Sequence, residues 1–124
     1  MTYREAINLG EKVLNMADVA DAKIDAWLLL EMVCKIDRSF YYLHMEDEVA
    51  EEQLSEYEIA LRKRAEHVPL QYIVGEAEFM GLKFKVNSNV LIPRQDTETL
   101  VEEALKVVKP GMKVLDMCTG SGCI

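Results

Sequence analysis

Pro69 constrains the fold more than any other residue, because the apolar side chains on its two sides repeat with different periods. Before it they recur at steps of three and four, the spacing of one face of a helix. After it they alternate, as in a strand with two faces. Proline lacks the amide hydrogen that a helix interior requires and clashes with the preceding turn, so it ends helix propagation. The chain therefore reads as a helical part followed by a part that contains strands.

The helical part opens with Thr2 and Glu5 at capping-box spacing, followed by Tyr3, Ala6, Ile7, Val13, Leu14 and Ala17 on one stripe. The next stretch, from about Asp21 to Lys35, carries Ile24, Trp27, Leu28, Leu30, Met32 and Cys34 nearly all round. This is the pattern of a central helix, with Trp27 as the expected core anchor. Asp37-Arg38-Ser39 reads as a turn in which Ser39 caps a short helix through Phe40, Tyr41, Tyr42 and Leu43. A long charged helix from about Glu48 to Glu66 keeps Leu54, Tyr57, Leu61, Ala65 and Val68 on one face. Four such helices suffice for a bundle.

Beyond Pro69, Ala77-Glu78-Phe79 and Leu82-Lys83-Phe84-Lys85-Val86 alternate across Met80-Gly81 like a short hairpin, the expected connector between domains. Asp96 or Thr97 then caps a helix through Leu100, Val101, Ala104, Leu105 and Val108, stopped by Pro110-Gly111. Lys113-Val114-Leu115-Asp116-Met117 reads as a buried strand, and Cys118-Thr119-Gly120-Ser121-Gly122 as the loop that follows it, although residues 1–124 offer Val114 and Leu115 no neighbouring strand to pair with, which predicts a structurally compromised segment at 112–124 with an exposed apolar edge.

Composition narrows the class. Half the residues are hydrophobic and 29% charged, as in an ordinary folded soluble protein. No apolar run approaches the roughly 20 residues that span a bilayer, and the N-terminus lacks the layout of a signal peptide. Cys34, Cys118 and Cys123 are odd in number and lack CxxC spacing, which suggests neither a disulfide framework nor a zinc site and points to the cytoplasm. The net charge is −8, and residues 1–70 carry 15 acidic against 8 basic side chains. Such a surface repels phosphate backbones, so direct nucleic-acid binding is disfavoured and a basic protein partner suits it better.

A strand, a carboxylate at its end and a glycine-rich turn form the entrance of a doubly wound α/β domain. Gly120 and Gly122 let the backbone turn and approach a ligand with no Cβ in the way. Two cofactor classes use such a loop: dinucleotides, which place a pyrophosphate on it, and S-adenosylmethionine, which carries a sulfonium and an amino-acid tail. Asp116 opposes a pyrophosphate and suits an ammonium and a sulfonium. An ordinary strand-to-helix turn without a ligand also fits the loop. His44 and His67 have no neighbours at metal-ligand spacing. Cys118 reads as a small buried hydrophobe rather than a reactive thiol. The acidic run Glu46-Asp47-Glu48 with Glu51 and Glu52 reads as a solvated helix start, and as a docking patch only secondarily.

Four segments, taken together, resemble one family. They are Pro69-Leu70-Gln71-Tyr72-Ile73-Val74-Gly75, Glu78 to Val86, Val90-Leu91-Ile92-Pro93-Arg94-Gln95-Asp96-Thr97-Glu98, and Asp116 to Gly122. In this order they are similar to the HemK-type protein-(glutamine-N5) methyltransferases (the PrmC family) that modify bacterial peptide chain release factors. The resemblance implies an α-helical N-terminal bundle plus a β-hairpin linker, followed by the truncated start of a Rossmann-like α/β methyltransferase domain. Residues 1–70 would be a helical substrate-docking domain, 71–94 the hairpin linker, and 95–124 the incomplete start of the S-adenosylmethionine-dependent domain.

Carried over from that family, Asp116, Cys118, Thr119, Gly120, Ser121 and Gly122 would line the methionine end of S-adenosyl-L-methionine, with Ile92-Pro93-Arg94 near the same cleft. Cys118 stands where the broader methyltransferase loop commonly has glycine. The family's Asn-Pro-Pro-Tyr substrate motif and the acid that holds the ribose lie beyond Ile124, so residues 1–124 alone are expected to be a docking fragment without activity, with no catalytic residue of their own. The activity implied for the parent protein is N5-methylation of the glutamine in the Gly-Gly-Gln motif of release factors. Two other classes stay open from the residues themselves: an acidic helical interaction module, and a dinucleotide-dependent oxidoreductase suggested by the loop alone.

Overall fold

The computed structural model describes every residue from Met1 to Ile124. The chain divides into two compact units, Met1–Val74 and Gly75–Ile124.

The first unit is built from α1 (Tyr3–Met16), α2 (Ala22–Cys34), α3 (Arg38–His44), α4 (Glu51–Ala65) and the short α5 (Leu70–Val74). The capping box at the start of α1 forms as the sequence predicts: Thr2 Oγ1 accepts from the Glu5 amide at 3.2 Å, and the Glu5 carboxylate accepts from the Thr2 amide at 2.9 Å. Two orphan donors of the first turn are thereby satisfied. The start of α3 differs from expectation. Asp37, not Ser39, is the cap, accepting from the Phe40 amide at 2.7 Å. Aspartate reaches the third amide of the helix from one residue outside it, whereas Ser39 already lies in the first turn.

Leu14 of α1, Leu29 and Leu30 of α2 and Tyr57 of α4 are fully buried at the centre of the unit, with Ala6, Ala26, Ala60 and Leu61 between them. Small residues at these crossings let three helices approach closely. Gly10 of α1 is the extreme case, because a Cβ placed there would lie 2.1 Å from the Tyr57 hydroxyl oxygen. That hydroxyl donates to the Ala26 carbonyl at 3.1 Å, so one buried tyrosine links α4 to α2 across the face of α1. Burial raises its pKa well above the tyrosine range. Trp27, expected as the core anchor, is buried at the edge instead. Its ring packs edge-on against Tyr41 at 5.3 Å between centroids, and the Arg38 guanidinium lies over it at 4.9 Å.

Asp25, next to Ala26 on α2, is the one buried charged residue. Arg64 of α4 answers it, donating from Nε at 2.8 Å and from Nη1 to the Val68 carbonyl at 3.0 Å. Residues 71–74 depart from the sequence reading as linker, since α5 is helical and Ile73 packs against the bundle core. Pro69 ends one helix and also starts the next: its carbonyl accepts from the amides of Tyr72 and Ile73. A proline at a helix start loses no bond, because the first amides have no partner in any case.

The second unit holds β1 (Glu76–Phe79), β2 (Leu82–Lys85) and α6 (Gln95–Leu105). The strands pair antiparallel with Glu76 opposite Lys85, Ala77 opposite Phe84, Glu78 opposite Lys83 and Phe79 opposite Leu82. One face therefore carries two acid–base pairs and the other Ala77, Phe79 and Phe84, the alternation read from the sequence. Met80 and Gly81 both take positive φ, 51° and 75°, as the tightest hairpin turn requires. The Met80 amide donates to the Glu98 carboxylate of α6 at 3.0 Å. Helix α6 begins at Gln95 with Arg94 at the cap position and no side-chain cap, so neither Asp96 nor Thr97 caps it.

The buried strand expected at Lys113 to Met117 does not form. The segment has no strand structure, and Val114, Leu115 and Met117 are 73%, 83% and 77% exposed. A strand is held by bonds to neighbours, and the only paired strands in the chain are β1 and β2, which pair with each other. Apolar content alone cannot supply the missing ladder. The Rossmann-like sheet is accordingly not present in residues 1–124.

Candidate functional site

The residues singled out for cofactor binding lie together in the last nine positions of the chain. The Thr119 hydroxyl donates to Asp116 Oδ2 at 2.6 Å, a short charge-assisted bond that holds the carboxylate toward the loop. The Gly122 amide donates to the Thr119 carbonyl at 3.2 Å and closes a four-residue turn. Gly120 and Gly122 take φ of 62° and 81°, and a Cβ built on either meets nothing within 4 Å. Left-handed backbone with open space over it is what the two glycines provide.

Cys118 also lies in the left-handed region, at φ 58°. Glycine enters this region without cost, whereas a residue with a Cβ pays roughly 1–2 kcal/mol. Cys118 is exposed, which corrects its reading as a small buried hydrophobe. Ser121 and Cys123 are half-buried and the rest of the loop is exposed.

In chemical type these residues fit the amino-acid end of S-adenosylmethionine: a held carboxylate can face an ammonium, and two open glycines admit close approach. A pyrophosphate would meet the Asp116 charge directly. Pro93 and Arg94 precede α6, where Arg94 occupies the cap position and its carbonyl accepts from the Thr97 amide at 3.1 Å. No group of three or more His, Cys, Asp or Glu side chains is arranged to hold a metal.

The acidic run of the first unit is largely committed within the fold. Glu46 pairs with Arg4 at 2.5 Å, Asp47 with His44 Nδ1 at 2.7 Å, and Glu48 with the Met1 amino group. Backbone bonds run alongside, from the Tyr3 amide to the Asp47 carbonyl, from the Arg4 amide to the Met45 carbonyl and from the Val49 amide to the Met1 carbonyl. Together they staple the chain start to the loop between α3 and α4. The Glu48 carboxylate raises the pKa of the Met1 amino group above its ordinary value. Glu51 and Glu52, in the first turn of α4, remain exposed and favour the helix dipole. Nothing in the sequence marked Glu46 and Glu48 as paired, because the cations that engage them are more than forty residues away along the chain.

Comparison with known proteins reaches across both units. The model of the PrmC N-terminal domain matches residues 5–75. A release factor glutamine methyltransferase of Clostridium acetobutylicum is 44% identical over 126 aligned residues, covering 100% of this chain and 44% of its own length. Those of Clostridium botulinum and Koribacter versatilis are 39% and 37% identical over the same span, with 44% and 45% of their lengths covered. The chain thus spans less than half the length of these relatives. No helix is long and apolar enough to cross a membrane.

Proposed function

The chain belongs to the PrmC N-terminal domain family, and on that premise we propose that it serves a methyltransferase that transfers a methyl group from S-adenosylmethionine to the glutamine of the Gly-Gly-Gln loop of peptide chain release factors. The observation that carries this reading is the similarity to release factor glutamine methyltransferases, which continues past the helical unit through the glycine loop to the end of the chain. An oxidoreductase using a dinucleotide is disfavoured by the same similarity and by the carboxylate of Asp116 at the loop.

Bound to the loop, the cofactor supplies an electrophilic methyl on a sulfonium. The part of these residues is to hold its other end: Asp116, kept in place by Thr119, takes the ammonium, and the open backbone at Gly120 and Gly122 takes the close contact. A glutamine amide nitrogen is a weak nucleophile because its lone pair is delocalised, so the reaction depends on holding amide and methyl in line rather than on an acid–base pair. The part proposed for residues 116–122 is the grip on the cofactor's amino-acid end, and no residue of 1–124 is assigned to the amide.

The helical unit is the part that holds the release factor. Its acidic balance suits a basic partner, and the carboxylates free to meet one are Glu51 and Glu52 rather than the whole acidic run. Neutralising these two leaves the staple of the chain start intact, so a loss of affinity can be assigned to docking and not to the fold.

The test is peptide mass spectrometry of a release factor incubated with S-adenosylmethionine and a full-length protein containing this chain, with residues 1–124 as control. One added methyl on the Gly-Gly-Gln glutamine with the full-length protein alone supports the reading. An unmodified glutamine, with a protein that binds the cofactor, refutes the substrate assignment.

A further inference from the structure

Helix α2 is apolar on two faces. Ala22, Ala26, Leu29 and Leu30 are buried in the bundle, whereas on the opposite face Ile24 and Leu28 are 56% and 36% exposed and Met32 is half-buried. A helix that is hydrophobic all round is ordinarily covered all round. The outward faces of α1 and α4 differ, for they expose mainly polar residues, among them Asn8, Lys12 and Asn15 on one and Glu52, Glu56 and Lys63 on the other. Charge closes the uncovered stripe of α2 at both ends. Asp21 stands at its N-cap, where its carboxylate makes no cap bond, and Lys35 stands at its C-cap. Both are exposed, and neither side chain has a partner within the chain.

Asp21, Ile24, Leu28, Met32 and Lys35 are separated by steps of three, four, four and three, so they share one face and their spacing reads the same from either end. Turned about a two-fold axis at Leu28, this face complements itself. Leu28 meets Leu28 of a second copy, Ile24 meets its Met32, and Asp21 meets its Lys35. An antiparallel pair crossing at about 20° keeps both ends within reach over roughly 20 Å of helix. Each helix N-terminus then lies beside the C-terminus of the other helix, which the two dipoles favour. We infer that this face of α2 is a homodimer contact, in which two copies of the chain pair antiparallel through Ile24, Leu28 and Met32 with an Asp21–Lys35 ion pair at each end. Such a contact is isologous, so each favourable pair is made twice. Confined to one helix from each copy, it is smaller than the roughly 800 Å² per partner of a standard interface. The dimer is therefore weak, forms as concentration rises, and is loosened by salt through its exposed end pairs.

Sedimentation equilibrium of the 124-residue chain over a series of concentrations and salt strengths tests the contact. The wild type is expected to show a monomer–dimer equilibrium that weakens with salt. Asp21→Lys and Lys35→Glu, each alone, turn both end pairs from attraction to repulsion and are expected to weaken the dimer at least tenfold. The double variant carrying both reversals restores the two pairs and is expected to return to within about threefold of the wild type. An equimolar mixture of the two single variants is expected to form a mixed dimer, since each supplies the charge that the other lacks. Chains that had merely lost their fold could not be rescued in this way. A wild-type chain that stays monomeric at millimolar concentration would overturn the contact. So would an association indifferent to both reversals, as one through the exposed residues Val114, Leu115 and Met117 would be, or single variants that the mixture fails to rescue. A monomer whose Ile24 and Leu28 are covered only when a release factor is added would give the face to that partner instead.

Discussion

Gly10→Ala tests how the bundle is held together, because the expected clash involves one rigid group. The new Cβ would lie 2.1 Å from the Tyr57 hydroxyl oxygen and 3.1 Å from both Tyr57 Cζ and Ala26 Cβ. No carbon tolerates the first contact, so the ring must move by about 1 Å or α1 must tilt away, and such overpacking costs about 1–3 kcal/mol. The same movement breaks the 3.1 Å bond to the Ala26 carbonyl and strands a buried hydroxyl, a further 1–3 kcal/mol or so. Alanine returns about 1 kcal/mol through its helix propensity. The net expectation is a loss of about 3 kcal/mol. Tyr57→Phe alone loses one hydrogen bond, about 1 kcal/mol. In the double variant the offending oxygen is gone and only a tight carbon contact remains, so its loss should fall short of the two single losses added together by about 2 kcal/mol. Urea unfolding followed by the fluorescence of Trp27, the single tryptophan, measures all four corners of the cycle. Additivity within about 0.5 kcal/mol would mean that Gly10 and Tyr57 are not coupled, and would refute the packing argument.

Arg64→Ala leaves the buried Asp25 carboxylate without its cation and should destabilise the bundle by about 3 kcal/mol, with Asp25→Asn in the same background recovering part of the loss in urea titrations. The Met1 amino group has its pKa raised by Glu48 above an ordinary value of 8.0, so its contribution to stability is complete below that pH and disappears as pH rises through the higher folded value. A pH series of unfolding midpoints should therefore fall off above pH 8.0 in the wild type and less steeply in Glu48→Gln. Met80→Asn places a residue that tolerates left-handed backbone at φ 51°, and amide exchange across the β1–β2 pairs should slow by a factor matching about 0.5–1 kcal/mol.

What could be read from the sequence was whatever depends on neighbours along the chain. The Thr2–Glu5 box, the stripes of α1 and α4 and the hairpin across Met80-Gly81 are each fixed by residues within a turn or two, and each forms. The errors are of two kinds. From its neighbours Pro69 reads only as a breaker, although the same missing amide hydrogen suits it to begin α5, and Asp37 competes with Ser39 for one cap with the better reach. Others depend on distant residues: Tyr57 rather than Trp27 at the centre, Gly10 as the opening for its hydroxyl, and Glu46 and Glu48 spent on the chain start. The strand at residues 113–117 is the limiting case, since apolar residues specify a strand only where others stand ready to pair. For the candidate loop the sequence offers candidate residues only, while the bond from Thr119 to Asp116, the left-handed Cys118 and its exposure are visible in the structure.

In the proposed function Asp116 faces the ammonium of S-adenosylmethionine, and titration calorimetry of the cofactor against full-length protein and its Asp116→Asn variant tests this most directly. The substitution keeps the shape and an acceptor for the Thr119 hydroxyl but removes the charge. A hydrogen bond to a charged group contributes about 1.5–3 kcal/mol, so the affinity should fall by about 10- to 100-fold. Undiminished binding by the variant would contradict the assignment of the loop.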